Sequence, residues 1–302
     1  MLIINDLSDY KQTKECAVTL GKFDGVHKGH QKLLNIALSK KEEGVISVAF
    51  TFIPTDLGNE FITDRKERHG IFERMGIDIL LEIPFTKEFA SISAKDFVKE
   101  ILVDKMNAKY IISGPDFRFG KDRLGDTDML IELSKEFGYT AIVEPKELYK
   151  DKEISSTYIR NELKLGNIGT VNKLLGYKYG VYAEVIHGKA LGRKFKYPTI
   201  NMIADSAKLL PPNGVYATRV LFDGRVEYGV TNIGVKPTVN EGKVKKGIET
   251  YILDFNEDMY GKYVKLEFCW YLREERKYER IEDLFSQIEM DAVAAKEYFK
   301  IL

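Results

Sequence analysis

Gly21-Lys22-Phe23-Asp24-Gly25-Val26-His27-Lys28-Gly29-His30 is the stretch whose reading decides the first half of this chain. It follows an apolar run, Ala17-Val18-Thr19-Leu20, and leads into Leu33, Leu34, Ala37 and Leu38, which recur at helical spacing. The expectation is a strand, a glycine-rich turn and then a helix. Glycines let the backbone pass close to a ligand, and the helix N-terminus offers free N–H groups and a partial positive charge. Such a turn suits an anion, most often a phosphate. Two of the four histidines, His27 and His30, lie three apart at the helix mouth, where both can reach the same phosphate oxygens. The same residues also fit a plain surface turn, or a metal pair with Asp24, although no Cys or His elsewhere offers a matching set.

Outward from this turn, strand and helix alternate. Residues 45–52 form an apolar, β-branched run fit for a buried parallel strand. A helix is expected over 65–75, strands at 77–83 and 110–112, a helix over 127–137 and a strand at 141–143. Ser93 with Asp96 resembles a capping box, with Phe97, Ile101 and Leu102 as the buried face of its helix. Five strands alternating with helices argue for a parallel sheet covered on both faces, with ligands beyond the carboxyl ends of its strands.

Two further stretches in this half carry chemistry. Gly114-Pro115-Asp116-Phe117-Arg118-Phe119-Gly120, continuing to Arg123, Gly125 and Asp126, follows a strand end; its aromatics and arginines suit a planar ring beside phosphates. An ordinary loop with Phe117 and Phe119 dipping into the core fits as well. Ile154-Ser155-Ser156-Thr157-Tyr158-Ile159-Arg160 puts hydroxyls at a helix start, as a plain cap or a phosphate ligand, with Arg160 one turn on.

Beyond a short helical stretch at 172–175, ended by Gly176, the pattern turns to strands: 181–187, 215–222, 226–233, 247–253 and 263–272. Asp223-Gly224 is a two-residue hairpin signal. Strands without intervening helices read as an antiparallel sheet or small barrel. Leu284, Ile288, Ala295 and Phe299 mark a terminal helix. The boundary between halves is placed near residue 178. The segment from Gly188 through Gly192-Arg193 to Pro198-Thr199-Ile200-Asn201 reads as a loop whose Thr199 could ligate magnesium. Glu249, in a strand-like run, is either a general base or a solvent-facing strand residue.

The totals bound the rest. A chain of 302 residues has room for two domains, each with its own core. Lys plus Arg and Asp plus Glu both number 46, so no basic excess points to nucleic acid or an anionic membrane. Cys16 and Cys269 fit buried thiols in a reducing compartment. Without a signal peptide or a long apolar run, a soluble cytoplasmic protein is expected, and nothing here fixes an oligomeric state.

Taken in order, these motifs resemble the bifunctional bacterial riboflavin kinase and FAD synthetase family over nearly the whole chain. Gly21-x-Phe23-Asp24-Gly25-x-His27-x-Gly29-His30 matches its nucleotidyltransferase signature. Gly114-x-Asp116-Phe117-Arg118-Phe119-Gly120 and Ile154-Ser155-Ser156-Thr157-x-x-Arg160 match its second and third motifs. Pro198-Thr199-x-Asn201, Glu249, and Leu272-Arg273 with Gln287-Ile288 and Asp291 look like its kinase module.

The resemblance implies an α/β Rossmann-like nucleotidyltransferase domain at 1–177, followed at 178–302 by an antiparallel six-stranded β-barrel with a C-terminal helix. It implies ATP, riboflavin and FMN as substrates, with Mg2+. His27, His30 and Arg160 would stabilise charge in adenylyl transfer, with Gly21, Phe23, Asp24, Gly25, Gly29, Ser155, Ser156 and Thr157 around the ATP. Asp116, Phe117, Arg118, Phe119, Arg123 and Arg273 would bind flavin or nucleotide. In the barrel, Glu249 would be the catalytic base, Gly192, Pro198 and Asn201 would bind nucleotide, and Thr199 and Asn201 would hold the metal. The chain departs from the family pattern at Thr55-Asp56 (usually His-Pro), Lys196 (glycine), Ile200 (alanine) and Tyr251 (often histidine). Lys196 and Tyr251 keep open an FAD synthetase whose barrel is only a flavin-binding or scaffolding module. A flavin or nucleotide sensor without turnover and a nucleotidyltransferase for another phosphate substrate are the remaining readings.

Overall fold

A computed structural model of the chain describes residues 1–53, 60–188, 197–236 and 245–301. The chain forms two compact units, Met1–Asn59 with Arg65–Ser156, and Glu60–Asp64 with Thr157–Leu302.

In the first unit, β1 (Leu2–Ile4) and β2 (Cys16–Leu20) precede α1 (Lys28–Ser39), β3 (Ile46–Phe52), α2 (Arg65–Met75) and β4 (Ile79–Ile83). Short helices α3 (Lys87–Ala90) and α4 (Ala94–Asp96) follow, the latter running into a π-helical turn, Phe97–Lys105, and then β5 (Ala108–Ser113). The unit continues through α5 (Thr127–Phe137), β6 (Thr140–Val143) and a small ribbon of β7 (Leu148–Tyr149) and β8 (Lys152–Glu153). Six parallel strands form one sheet in the order β1-β4-β3-β2-β5-β6. The sequence reading found five of them; β1 is an exposed three-residue edge strand, too short to show a period.

Neighbouring residues divide between the sheet's two faces. Ala17 and Ile112 pack with Leu33 and Ala37 of α1, while Val18 and Ile111 join Phe50, Phe97 and Leu102 on the other side. Covering both faces lets the central strands be apolar throughout. Ser93 caps its helix as expected, accepting from the Asp96 amide at 3.1 Å and donating to the Asp96 carboxylate at 2.6 Å. From β2 the chain steps to β3 on one side and later to β5 on the other, so the sheet's switch point lies between β2 and β5. The turn after β2 and the loop after β5 both leave from there, where open α/β sheets bind ligands.

The second unit begins with α6 (Ser156–Lys164), whose first residue belongs to the first unit, and α7 (Ile168–Leu175). Strands β9 (Gly180–Ile186), β10 (Thr199–Met202), β11 (Gly214–Phe222), β12 (Arg225–Lys236), β13 (Lys245–Ile252) and β14 (Tyr263–Arg273) then precede α8 (Ile281–Phe299). The six strands close as an antiparallel barrel in the order β10-β13-β12-β11-β14-β9. Asp223 and Gly224 turn the β11–β12 hairpin at φ 47° and 74°, as the sequence signal required.

One expectation is corrected here. Thr199, Ile200 and Asn201, read as loop, are the start of β10, which pairs with β13 and β9 to close the barrel. Four residues preceded by a proline carry too little pattern to announce a strand, and only the pairing reveals it. Gly192, Arg193 and Lys196, like Thr55 and Asp56, lie outside the described residues.

Helix α7 is longer than the sequence suggested and is pinned to β14. Asn172 donates to the Phe268 carbonyl at 3.0 Å and accepts from the Tyr179 amide at 2.7 Å. Helix α8 covers Val215, Ala217, Val230 and Leu253 with Ala292, Ala295 and Phe299. Residues 60–64 lie along the 207–209 segment of the same unit, with Phe61 bonded to Ala207 and Leu209, and the buried Lys208 ammonium donating to the Ile62 carbonyl at 2.7 Å.

Candidate active sites

The turn after β2 is tightly wound. Phe23, Gly25 and Val26 all have positive φ, 51°, 79° and 34°, a region that favours glycine and strains the other two. Phe23 turns inward and is fully buried, meeting Phe72 of α2 and His30 edge-to-face at 5.5 and 5.2 Å. His27 is the N-cap of α1, its Nδ1 accepting from the His30 amide at 3.3 Å. That bond leaves the proton of a neutral His27 on Nε2. The His27 and His30 rings stack at 3.6 Å, so the sequence-predicted pair is brought together on one face. Gly29 makes room for this: a Cβ there would stand 3.2 Å from the His27 ring.

Both imidazoles are held neutral. Burial pushes His27 down to about 4. His30 lies well below the ordinary histidine range, through burial first, then the neighbouring His27 and Arg68. The His30 Nδ1 atom is buried and has no hydrogen-bond partner among the described residues.

Beneath the turn is a charged cluster that the sequence reading missed. Glu82 of β4 is fully buried and takes Arg65, Arg68 and His69 on one carboxylate, His69 at 2.9 Å. Burial raises its carboxyl pKa, but Arg68 and the three hydrogen bonds outweigh this and hold it below the ordinary range. Arg68 also donates to the Lys22 carbonyl at 3.2 Å, which accepts from the Thr51 hydroxyl as well. The available signal was Glu82 itself, a lone carboxylate in the apolar run Ile79-Leu80-Leu81-Glu82-Ile83 that had to find a partner.

The other predicted residues of the first unit lie as follows. Ser156 donates to the Asp24 carbonyl at 2.9 Å, tying the third motif to the first; Ser155 directly precedes it. Asp116 is exposed and ion-paired with Lys146, and Arg118 pairs with Asp126 at 3.4 Å. Phe117 and Phe119 stack at 5.5 Å, Phe119 buried and Phe117 half-buried, while Arg123 is exposed. Thr157 and Arg160 belong to the second unit, where Arg160 donates to the Glu60 carbonyl at 3.2 Å.

In the barrel, β10 and β13 set Asn201 opposite Glu249 and Thr199 opposite Tyr251. The Thr199 hydroxyl donates to the Glu249 carboxylate at 2.7 Å, so two predicted residues meet directly. Asn201 packs over Gly188, where a Cβ would come within 2.2 Å of its amide. Tyr251 meets Tyr197 edge-on at 5.3 Å, and Tyr197 stacks on Phe285 of α8. A cavity of about 680 Å³ opens beside Pro198, Thr199, Tyr251, Asp254 and Tyr260. The Arg273 guanidinium grips the buried Asp291 of α8 through three hydrogen bonds at 2.7–3.1 Å, and Gln287 adds a fourth at 3.0 Å. Thr199, Asn201 and Glu249 offer hydroxyl, amide and carboxylate oxygens, the hard donors a magnesium ion takes alongside water and substrate phosphates. No group of three or more His, Cys, Asp or Glu side chains that could hold a metal gathers among the described residues.

A capped helix mouth with a stacked histidine pair at a sheet's switch point, and a carboxylate–hydroxyl pair on a separate barrel, define the class: a two-module protein of an α/β sheet followed by a closed barrel. Comparison with known proteins narrows it. Residues 9–158 match the FAD synthetase family and residues 175–299 the riboflavin kinase family. The Bacillus subtilis bifunctional riboflavin kinase/FMN adenylyltransferase is 36% identical, covering 97% of this chain and 95% of its own. The Escherichia coli K12 protein of the same name is 32% identical over 98% and 96%. Among solved structures, a Streptococcus pneumoniae protein described as a macrolide-efflux protein is 29% identical with a TM-score of 0.87, covering 98% of both chains. The chain belongs to the bifunctional riboflavin kinase/FMN adenylyltransferase family. No described helix is long and apolar enough to cross a membrane.

Proposed function

We propose that this protein phosphorylates riboflavin to FMN with ATP and then adenylylates FMN to FAD with a second ATP, releasing pyrophosphate. The observation that carries the proposal is the presence of both family modules in one chain, matched end to end by relatives named for both activities. This favours two activities over an FAD synthetase with an idle barrel. The functional domains are 1–177 and 178–302, and the protein is cytoplasmic.

For adenylyl transfer, the ATP phosphates meet the mouth of α1, where the glycine turn offers amides and the helix end a partial positive charge. His27 and His30, being neutral, act there as hydrogen-bond donors to phosphate oxygens rather than as cations. Arg160 supplies a formal positive charge against the negative charge that develops on the phosphate oxygens in transfer, and Ser155, Ser156 and Thr157 assist from the start of α6. Phe117, Arg118, Phe119 and Arg123, on the loop after β5, flank the flavin or the adenine. FMN phosphate attacks the α-phosphorus of ATP and pyrophosphate leaves, so alignment does most of the catalysis.

For phosphorylation, Glu249 takes the proton from the riboflavin 5′-hydroxyl as the hydroxyl oxygen attacks the γ-phosphorus of ATP and ADP leaves. In the structure the Thr199 hydroxyl donates to Glu249, which holds the carboxylate in place. Thr199 and Asn201 would hold Mg2+, which when bound neutralises the ATP phosphates. The cavity beside Pro198 and Tyr251 gives the nucleotide its room. Arg273 acts on the flavin through the placement of α8.

Incubation with riboflavin, ATP and magnesium, followed by chromatography, tests the proposal. FMN should accumulate first and FAD follow. FAD from supplied FMN, with no FMN from riboflavin, would leave only the first activity.

A further inference from the structure

Arg68 has no part in the motifs, yet it is bonded to the backbone of the first of them. It is 3% exposed, on α2 one turn before Phe72. One end of its guanidinium pairs with the buried Glu82 and another donates to the Lys22 carbonyl, while its Nε is buried with no hydrogen-bond partner among the described residues. Phe23, next after Lys22, rests against both Phe72 and His30. Helix α2 therefore holds the turn by backbone and by ring, and His30 leans on that support.

The cluster is costly. Replacing a buried ion pair with apolar residues is often neutral or stabilising, so stability alone does not explain why Arg68 and Glu82 are there. Its effect on His30 does. A proton on the buried His30 Nδ1 would be a donor with no acceptor among the described residues. The Arg68 charge, which bears on His30, raises the cost of adding positive charge to that ring. The charged and titratable groups that bear on His30 are the stacked His27 of the turn and Arg68 of α2, the latter paired with Glu82 of β4.

We propose that Arg68, clamped by Glu82, is a positioning residue for adenylyl transfer: it anchors the turn through Lys22 and brings a fixed charge to bear on His30, keeping that imidazole neutral with its proton on Nε2, ready to donate to a phosphate oxygen. The inference rests on the adenylyltransferase reading of the first unit.

The chain's four histidines make nitrogen-15 NMR of the full-length, histidine-labelled protein the direct test. Wild-type His30 should show the neutral Nε2–H form and resist protonation well below pH 6.5, the ordinary midpoint. Arg68→Met should move that midpoint up, and Glu82→Gln, which leaves Arg68 uncompensated, should move it down. A purely structural role predicts no such pair of opposite shifts. In the same Arg68→Met protein, kcat for FAD formation should fall about tenfold with KM values within about twofold. FMN formation should be unchanged, and Arg68→Lys should recover most of the lost rate.

A wild-type His30 protonated on Nδ1, or titrating near pH 6.5, overturns the proposal. So does an unchanged titration in both variants. If Arg68→Met also loses FMN formation and is misfolded, the wild-type and Glu82→Gln spectra decide the matter. A wild-type protein that makes no FAD overturns the adenylyltransferase reading instead, and the His30 spectra still judge Arg68.

Discussion

His27 caps a helix with the same nitrogen that a proton would occupy, and that bond has consequences for pH as well as for chemistry. Its folded-state value, about 4, lies below the ordinary 6.5. Between those two values the unfolded chain binds the proton more readily than the folded one. Stability is therefore complete above about pH 6.5 and is lost as pH falls toward 4, by at most about 3 kcal/mol from this group. His30 works in the same direction. Asparagine caps helices well without titrating. His27→Asn should consequently lose less stability between neutral pH and pH 4 than wild type, as read from urea midpoints on the same buffers. Gly29→Ala is a second test at this scale. An alanine inside a helix ordinarily stabilises by about 1 kcal/mol. Here the added Cβ meets the His27 ring at 3.2 Å, and the stacked His30 leaves that ring little room to yield. The expected result is reduced FAD formation with FMN formation intact, measured on purified protein.

Among the elements, α8 adds a buried ion pair to its apolar packing on the barrel. Asp291 is 4% exposed and receives Arg273 and Gln287 together, so Arg273 joins the end of β14 to the helix that covers the barrel. Arg273→Met strands a buried carboxylate and should cost on the order of 3 kcal/mol in denaturant unfolding, with FMN formation falling as well. The pairing itself was not legible in the sequence, because Asp291 is eighteen residues from Arg273 and no local pattern reveals the contact.

Elements whose ends carry their own chemistry were legible: α5 runs Thr127–Phe137 as expected because Asp126 caps it and Gly138 ends it at φ 78°. The hairpin at Asp223-Gly224 was legible for the same reason. Strands β1 and β10 were missed because three or four residues show no period and exist only through their neighbours. The histidine pair could be read because its spacing is its geometry. The Arg68–Glu82 pair joins a helix to a strand, and the only trace it leaves in sequence is a carboxylate among apolar neighbours.

At the scale of the whole molecule, the sheet and the barrel each assemble their own polar groups: His27 with His30 in the first unit, Thr199 with Glu249 in the second. Two activities whose central residues, the histidine pair and Glu249, lie in separate units should be separable by single substitutions. Removing a transition-state hydrogen-bond donor typically costs about 10²–10³ in rate, and removing a general base about 10²–10⁴. The most direct measurement is chromatographic product analysis of His30→Ala and Glu249→Gln side by side, each offered riboflavin and, separately, FMN, with ATP and magnesium. The expected pattern is crossed: His30→Ala makes FMN but no FAD, and Glu249→Gln makes FAD from FMN but no FMN from riboflavin. Equal damage to both reactions in both folded variants would contradict the assignment of two sites.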